Sequence, residues 1–135
     1  MGDDVLVNKA EIIERCLKRI KEIYGKSPKN LLEDQLKQDA ILLNTERACQ
    51  ATIDAAMRII RQKKLGIPKE SREAFTILEQ AKIIDGPLAT NLRKMVGFRN
   101  IAIHEYQELD LKLLQKVIEE DFTDIRAFVR VIVRL

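Results

Sequence analysis

Tryptophan is absent from this chain, histidine occurs once and cysteine twice. A zinc site built on several histidines is therefore excluded, and two cysteines cannot complete a cysteine-rich one. Cys16 and Cys49 lack CxxC spacing and fall inside helical patterns, so they read as reduced thiols acting as small apolar side chains. Glycine numbers 5 and proline 3, too little turn punctuation for an all-β fold. No apolar run approaches the ~18 residues of a membrane span. The opening residues 1–8 contain Asp3 and Asp4 and no basic stretch, unlike a signal peptide. A reducing cytoplasm is the expected compartment. One sign of charge is also missing in excess: the net charge of +3 is too weak to diagnose nucleic-acid binding by itself.

What is present suits one helical domain spanning residues 1–135, 46% hydrophobic and 33% charged. A chain of this length buries enough surface to fold without a metal or disulfide, and no cofactor is expected. Five helical segments can be read. In the first, residues 9–24, Ala10, Ile13, Leu17, Ile20 and Tyr24 recur at three- and four-residue steps, and Gly25 gives the stop. The second, residues 31–64, contains no glycine or proline, and Leu36, Ala40, Leu43, Ala51, Ala55 and Ile59 can lie on its inner side. Its alanine-rich stretch, Ala48 to Ala56, reads as core or dimer seam. The third, residues 71–84, turns Ala74, Ile77, Leu78 and Ala81 inward. The fourth, residues 88–105, carries Leu88, Leu92, Met95 and Phe98. Asp110 reads as the N-cap of the fifth, where Leu111, Leu114, Ile118, Phe122, Ile125, Val129 and Ile132 keep the helical step. The expected fold is all-α, an antiparallel up-and-down bundle of four to five helices.

The chemistry concentrates in residues 97–106, Gly-Phe-Arg-Asn-Ile-Ala-Ile-His-Glu-Tyr, which hold the single histidine, His104. On an ideal helix Arg99 and His104 are about 7.5 Å apart along the axis and about 140° apart around it, so only a curled arginine reaches the imidazole. Asn100 and His104 are an i, i+4 pair on one face, and Asn100 could hold the imidazole in one tautomer. Histidine moves protons near neutral pH, and arginine offers a charged planar fork that matches phosphate. Together they suffice for RNA cleavage without a metal. His104 would deprotonate a ribose 2′-hydroxyl and Arg99 would stabilise charge on the phosphoryl oxygens. A histidine packed at a helix end for structural reasons is the other reading of the same residues.

This stretch resembles the motif of the HEPN superfamily, in the form of its HepT-like branch: Arg99, the polar Asn100, a short variable run, His104, then Tyr106 two positions on. The flanks are similar as well: residues 47–54 (RACQATID) match the family's long helix, 71–75 (SREAF) its third helix, and 92–100 (LRKMVGFRN) its approach to the motif. The resemblance covers about residues 8–130. It implies a homodimer whose two motifs face one another across a cleft. It also implies the toxin of a type VII toxin–antitoxin pair, a metal-independent endoribonuclease with Arg99 and His104 as the catalytic pair and Asn100 in support. Tyr106 would be the residue that the partner antitoxin, a minimal nucleotidyltransferase, modifies with AMP units. Phosphates and bulk beside an RNA cleft explain inhibition by repulsion and blockage. A two-fold axis supplies two of each catalytic group, which a single motif does not. The alternatives from other classes are a non-catalytic HEPN module that binds a nucleotide or partner, and a helical scaffold.

Other charged groups can be weighed by position. Arg93 and Lys94, a turn or two before the motif, are placed for RNA phosphate. Arg58, Arg61, Lys63 and Lys64 either complement a helix C-terminus or meet an RNA backbone. Arg15, Lys18, Arg19, Lys21 and Glu22 form an outer face of the first helix. Glu119, Glu120, Asp121 and Asp124 read as a solvated acidic face rather than a metal site.

Overall fold

Three of the long helices begin where an aspartate takes over free backbone N–H groups, the usual device for starting a helix. In the computed structural model, which describes residues 3–104 and 111–135 (of 101–104 the backbone only), Asp3 accepts from the amides of Val5 at 2.8 Å and Leu6 at 3.1 Å. It opens α1 (Asp4–Tyr24), five residues earlier than the apolar stripe indicates. A short turn of helix, α2 (Lys29–Leu32), follows. Asp34 accepts from the Lys37 amide at 3.1 Å and opens α3 (Gln35–Lys63). The second segment is thus two helices, because the carboxylate of Asp34 competes for the backbone and resets the chain. Within α3, Leu36 and Leu43 lie on the side opposite buried Thr45 and Thr52, so this part of the expected inner face is outward: Leu36 is 82% exposed and Leu43 46% exposed. Ala48, Ala51, Ala55 and Ala56 are all buried within the single chain, so the alanine stretch is core rather than seam.

Helix α4 (Ser71–Gln80) stops short of Ile84. Lys82 takes a positive φ of 62°, and the Ile83 amide closes the end on the Leu78 carbonyl at 3.0 Å. Ala81 therefore lies past the helix and is exposed, while Ala74, Phe75 and Leu78 are buried. Asp85 accepts from the Leu88 amide at 2.8 Å and starts α5 (Gly86–His104). Leu92, Met95 and Phe98 are buried as their spacing predicts.

The last segment is α6 (Leu111–Lys116), a single wide turn over Val117–Asp121, and α7 (Phe122–Arg134). The expected cap at Asp110 lies outside the described residues. In the wide turn the Phe122 amide donates to the Val117 carbonyl, five residues back. The extra residue moves Val117 into the core, 4% exposed, and leaves Ile118 only partly buried.

Contacts set the directions. Asp3 meets Arg58, and Lys9 meets Asp54, so α1 and α3 are antiparallel. Tyr24 meets Glu119, and Asn91 meets Asp124. The result is an up-and-down bundle of α1, α3, α5 and α7. Helix α4 lies against α3 and α5, and Phe75 meets Phe128 of α7 edge-on, with ring centroids 5.8 Å apart. Among the described residues there is no strand, and no helix is long and apolar enough to cross a membrane.

Candidate functional site

Helix α5 is buried along one side and carries the motif in its last turns. Leu92, Val96 and Phe98 anchor it in the core, leaving Arg99 half-buried and Asn100 exposed. The Arg99 guanidinium donates from Nη1 to Asn100 Oδ1 at 3.3 Å. Among the described residues its buried Nε–H has no hydrogen-bond partner, a costly condition for a charged group unless a ligand or solvent reaches the same fork. The expected Asn100–His104 pairing concerns a side chain outside those described. His104 is the last residue of α5, and Tyr106 lies outside the described residues.

Helix α3 faces this arginine from behind. Burial raises the Glu46 carboxyl, and the charge of Arg99 opposes that rise. Burial likewise pushes the Cys49 thiol up to about 12, against Arg99 and with Glu46 adding. Cys49 is thus an inert apolar filler beneath the site, and Cys16 is buried and free as well. Glu46 was not singled out by sequence. Its spacing from buried Thr45 and Cys49 was the available signal, since it places Glu46 at the edge of the α3 core face.

Helix α4 supplies a further neighbour. An open cleft of about 430 Å³ is lined by Glu70, Ser71, Arg72, Val96 and Asn100. Gly97 permits it: a Cβ there would lie 2.6 Å from Arg72 Nη2 and 3.6 Å from its Cζ. Arg72 was visible in the sequence only as part of the family-like third helix.

The expected phosphate contacts separate. Arg93 is committed to the protein, with Nη1 3.2 Å from Glu79 Oε1 and 3.3 Å from Thr76 Oγ1. Its other nitrogen, Nη2, lies 3.2 Å from Thr90 Oγ1. Lys94 is exposed. Arg58 is likewise occupied, 3.0 Å from Asp3, whereas Arg61, Lys63 and Lys64 stay exposed at the end of α3. The late acidic residues do structural work: Glu119 accepts from the Tyr24 hydroxyl at 2.7 Å and Asp124 from Asn91 at 3.2 Å. Among the described residues no group of three His, Cys, Asp or Glu is arranged to hold a metal ion. A separate cleft of about 350 Å³, between α1 and the wide turn, has no lining residue from α5.

The Arg99 guanidinium, with the Asn100 amide beside it, has the charge and donor geometry to meet a phosphodiester, on a helix whose last residue is His104. The sequence profile described as ribonuclease HepT-like matches residues 13–132. The chain belongs to the HepT-like ribonuclease family. Among its HepT-like relatives, an mRNA nuclease HepT of Shewanella oneidensis is 45% identical over 130 residues, covering 96% of this chain and 97% of its own length. A tRNA nuclease HepT of Aphanizomenon flos-aquae is 31% identical over 110 residues, covering 78% and 72%. The fold matches that of the tri-AMPylated Shewanella oneidensis HEPN toxin, solved in complex with MNT antitoxin. The TM-score is 0.92 at 44% identity, covering 98% of this chain and 99% of that one.

Proposed function

We propose that this chain is the endoribonuclease toxin of a toxin–antitoxin pair, acting in the cytoplasm as a homodimer and silenced by AMPylation. One observation carries the reading: the Arg99–His104 motif closes α5 in a chain 45% identical, over 96% of its length, to an mRNA nuclease. His104 takes the proton of a ribose 2′-hydroxyl, whose oxygen attacks the adjacent phosphorus. Arg99, supported by Asn100, neutralises the charge that builds on the phosphoryl oxygens. The bond to the 5′-oxygen breaks, leaving a 2′,3′-cyclic phosphate, and His104 of the second copy returns a proton to the leaving oxygen. The mechanism needs no metal. Leu36 and Leu43, exposed on α3, give a second copy an apolar face to cover. A minimal nucleotidyltransferase is the antitoxin, and Tyr106 is the residue it loads with AMP. Lys94 remains a candidate RNA contact, and Arg93 contributes only if RNA displaces Glu79.

The test is cleavage of a labelled RNA pool in chelator by unmodified wild type, His104→Ala and Arg99→Ala, with helicity and dimer size measured in parallel. Wild type should cleave, and each variant should lose at least about a hundredfold in rate while keeping its fold. Equal cleavage by wild type and His104→Ala sinks the assignment, and loss of fold in the variant returns His104 to a structural role. Antitoxin with ATP should raise the mass in AMP-sized steps, and Tyr106→Phe should prevent this.

A further inference from the structure

We propose that Arg72 binds an RNA phosphate next to the one being cleaved, so that the cleft between α4 and α5 is a subsite of the active centre. The inference rests on the ribonuclease reading and deepens it. The Arg72 guanidinium lies across the backbone of α5 at Gly97, with Nη2, Cζ and Nε within 2.6, 3.6 and 4.0 Å of the point a Cβ would occupy. The missing side chain is thus the notch that lets a cation from α4 settle against α5 beside Asn100. Arg99, one residue before Asn100, leaves the helix on the side opposite Gly97. Asn100 joins the two arginines: its side chain lines the same cleft as Arg72 and accepts from Arg99 at 3.3 Å.

Arg72 is exposed, and the half-buried arginines make the contrast. Arg58 is held by Asp3 at 3.0 Å and Arg93 by Glu79 at 3.2 Å. Among the described residues no carboxylate pairs with Arg72, although Glu70 lines the mouth of its cleft. An unpaired guanidinium held in a backbone notch keeps its planar fork for an incoming anion, and a phosphodiester fits that fork in charge and shape. The Ser71 hydroxyl, in the same cleft, offers a further donor. Arg99 would then hold the reacting phosphate and Arg72 its neighbour along the strand, fixing the register of the RNA over His104.

The experiment uses unmodified full-length protein and a 2′-O-methyl RNA oligomer, which binds without being cut, together with the cleavable RNA pool. Arg72→Ala should weaken oligomer binding about tenfold. It should also lower the slope of log affinity against log salt by about 1, the signature of one lost phosphate contact. Cleavage should fall with it. Gly97→Ala should act in the same direction by pushing the guanidinium aside, yet keep or raise the thermal midpoint, because alanine favours helix over glycine. Wild-type affinity and slope in Arg72→Ala overturn the inference while leaving the ribonuclease reading intact. Loss of cleavage in His104→Ala with normal cleavage in Arg72→Ala does the same. Failure of wild type both to bind the oligomer and to cleave the pool overturns both. Normal cleavage by wild type shows any failure to be that of Arg72 alone.

Discussion

The α1–α3 hairpin and the corner between α4 and α5 use the same kinds of residue to opposite ends. Along the hairpin Asp3, Lys9, Asp54 and Arg58 meet one another in pairs. Asp3 caps α1 while accepting from Arg58 and from Gln62, and Lys9 reaches Asp54 at 3.3 Å. At the corner Arg72 lies exposed against bare backbone with no ion-pair partner among the described residues, and Arg99 has a buried Nε–H without a partner there. Arg58 shares that last condition, but its Nη2 is held by Asp3. Polar groups that are satisfied within the chain fix the fold, and those left open beside a cleft hold interaction energy for a ligand. Arg93 marks the border: it sits on the motif helix but is tied to α4 through Glu79.

This division can be broken most forcefully where α4 is attached. Phe128, fully buried against Phe75, joins α7 to the helix that carries Arg72. Phe128→Ala should cost about 3–5 kcal/mol in denaturant unfolding, and a loss below about 1 kcal/mol would mean that α4 is held by something else. A smaller effect is expected at Tyr24, whose hydroxyl donates to Glu119 at 2.7 Å. Tyr24→Phe should cost about 1 kcal/mol and leave RNA cleavage untouched. Burial, with Glu119 adding, pushes the Tyr24 phenol up from 10.0 to about 12. Its proton is held more tightly in the folded state, so this contribution is whole below pH 10 and fades as pH rises toward 12. The phenylalanine variant should lose that alkaline limb, and an unchanged limb would assign it to another group.

The smallest effect sharpens the comparison from the paired side. The Arg58 guanidinium chiefly holds the Asp3 carboxyl below its ordinary value, against burial and with the Leu6 and Val5 amides adding. A depressed carboxylate stabilises above the unfolded pKa, near 3.8, and the gain vanishes as pH falls through the lower folded value. Asp3→Asn keeps a capping oxygen but not the charge, so it should flatten the acid limb of thermal stability with cleavage at neutral pH unchanged. A drop in cleavage would link the hairpin to the motif after all.

The apolar stripes were legible wherever the helix ran without interruption. Ala10, Ile13, Leu17, Ile20 and Tyr24 are all buried, as are Ile125, Val129 and Ile132. Legibility failed at two phase shifts. In the second segment the expected stripe was out of phase with the buried side of α3, so Leu36 and Leu43 face outward, and the wide turn at Val117–Asp121 exchanged Val117 for Ile118. The wide turn is decided by a single backbone hydrogen bond that leaves no periodic trace in composition. At the site, the motif and its flanks pointed to the end of α5. Arg72 and Glu46 did not stand out, because each reaches the motif from another helix, and such contacts are made only once α3, α4 and α5 pack. Arg93 shows the converse: its position along α5 suits phosphate, and Thr76 and Glu79 arrive from α4 to hold it in this structure.

The wide turn also acts as a clutch. It lets the chain slip by one residue between α6 and α7, so the two halves of the last helix are set at different angles on a common shaft. Removing one residue from Val117–Asp121 would turn everything before it by about 100° relative to α7. Leu114, now fully buried, would be wound out of the core. The segment that leads back to the motif would have to enter the bundle from a new bearing. The rotational setting of the active end is thus written into one surplus residue on a neighbouring helix.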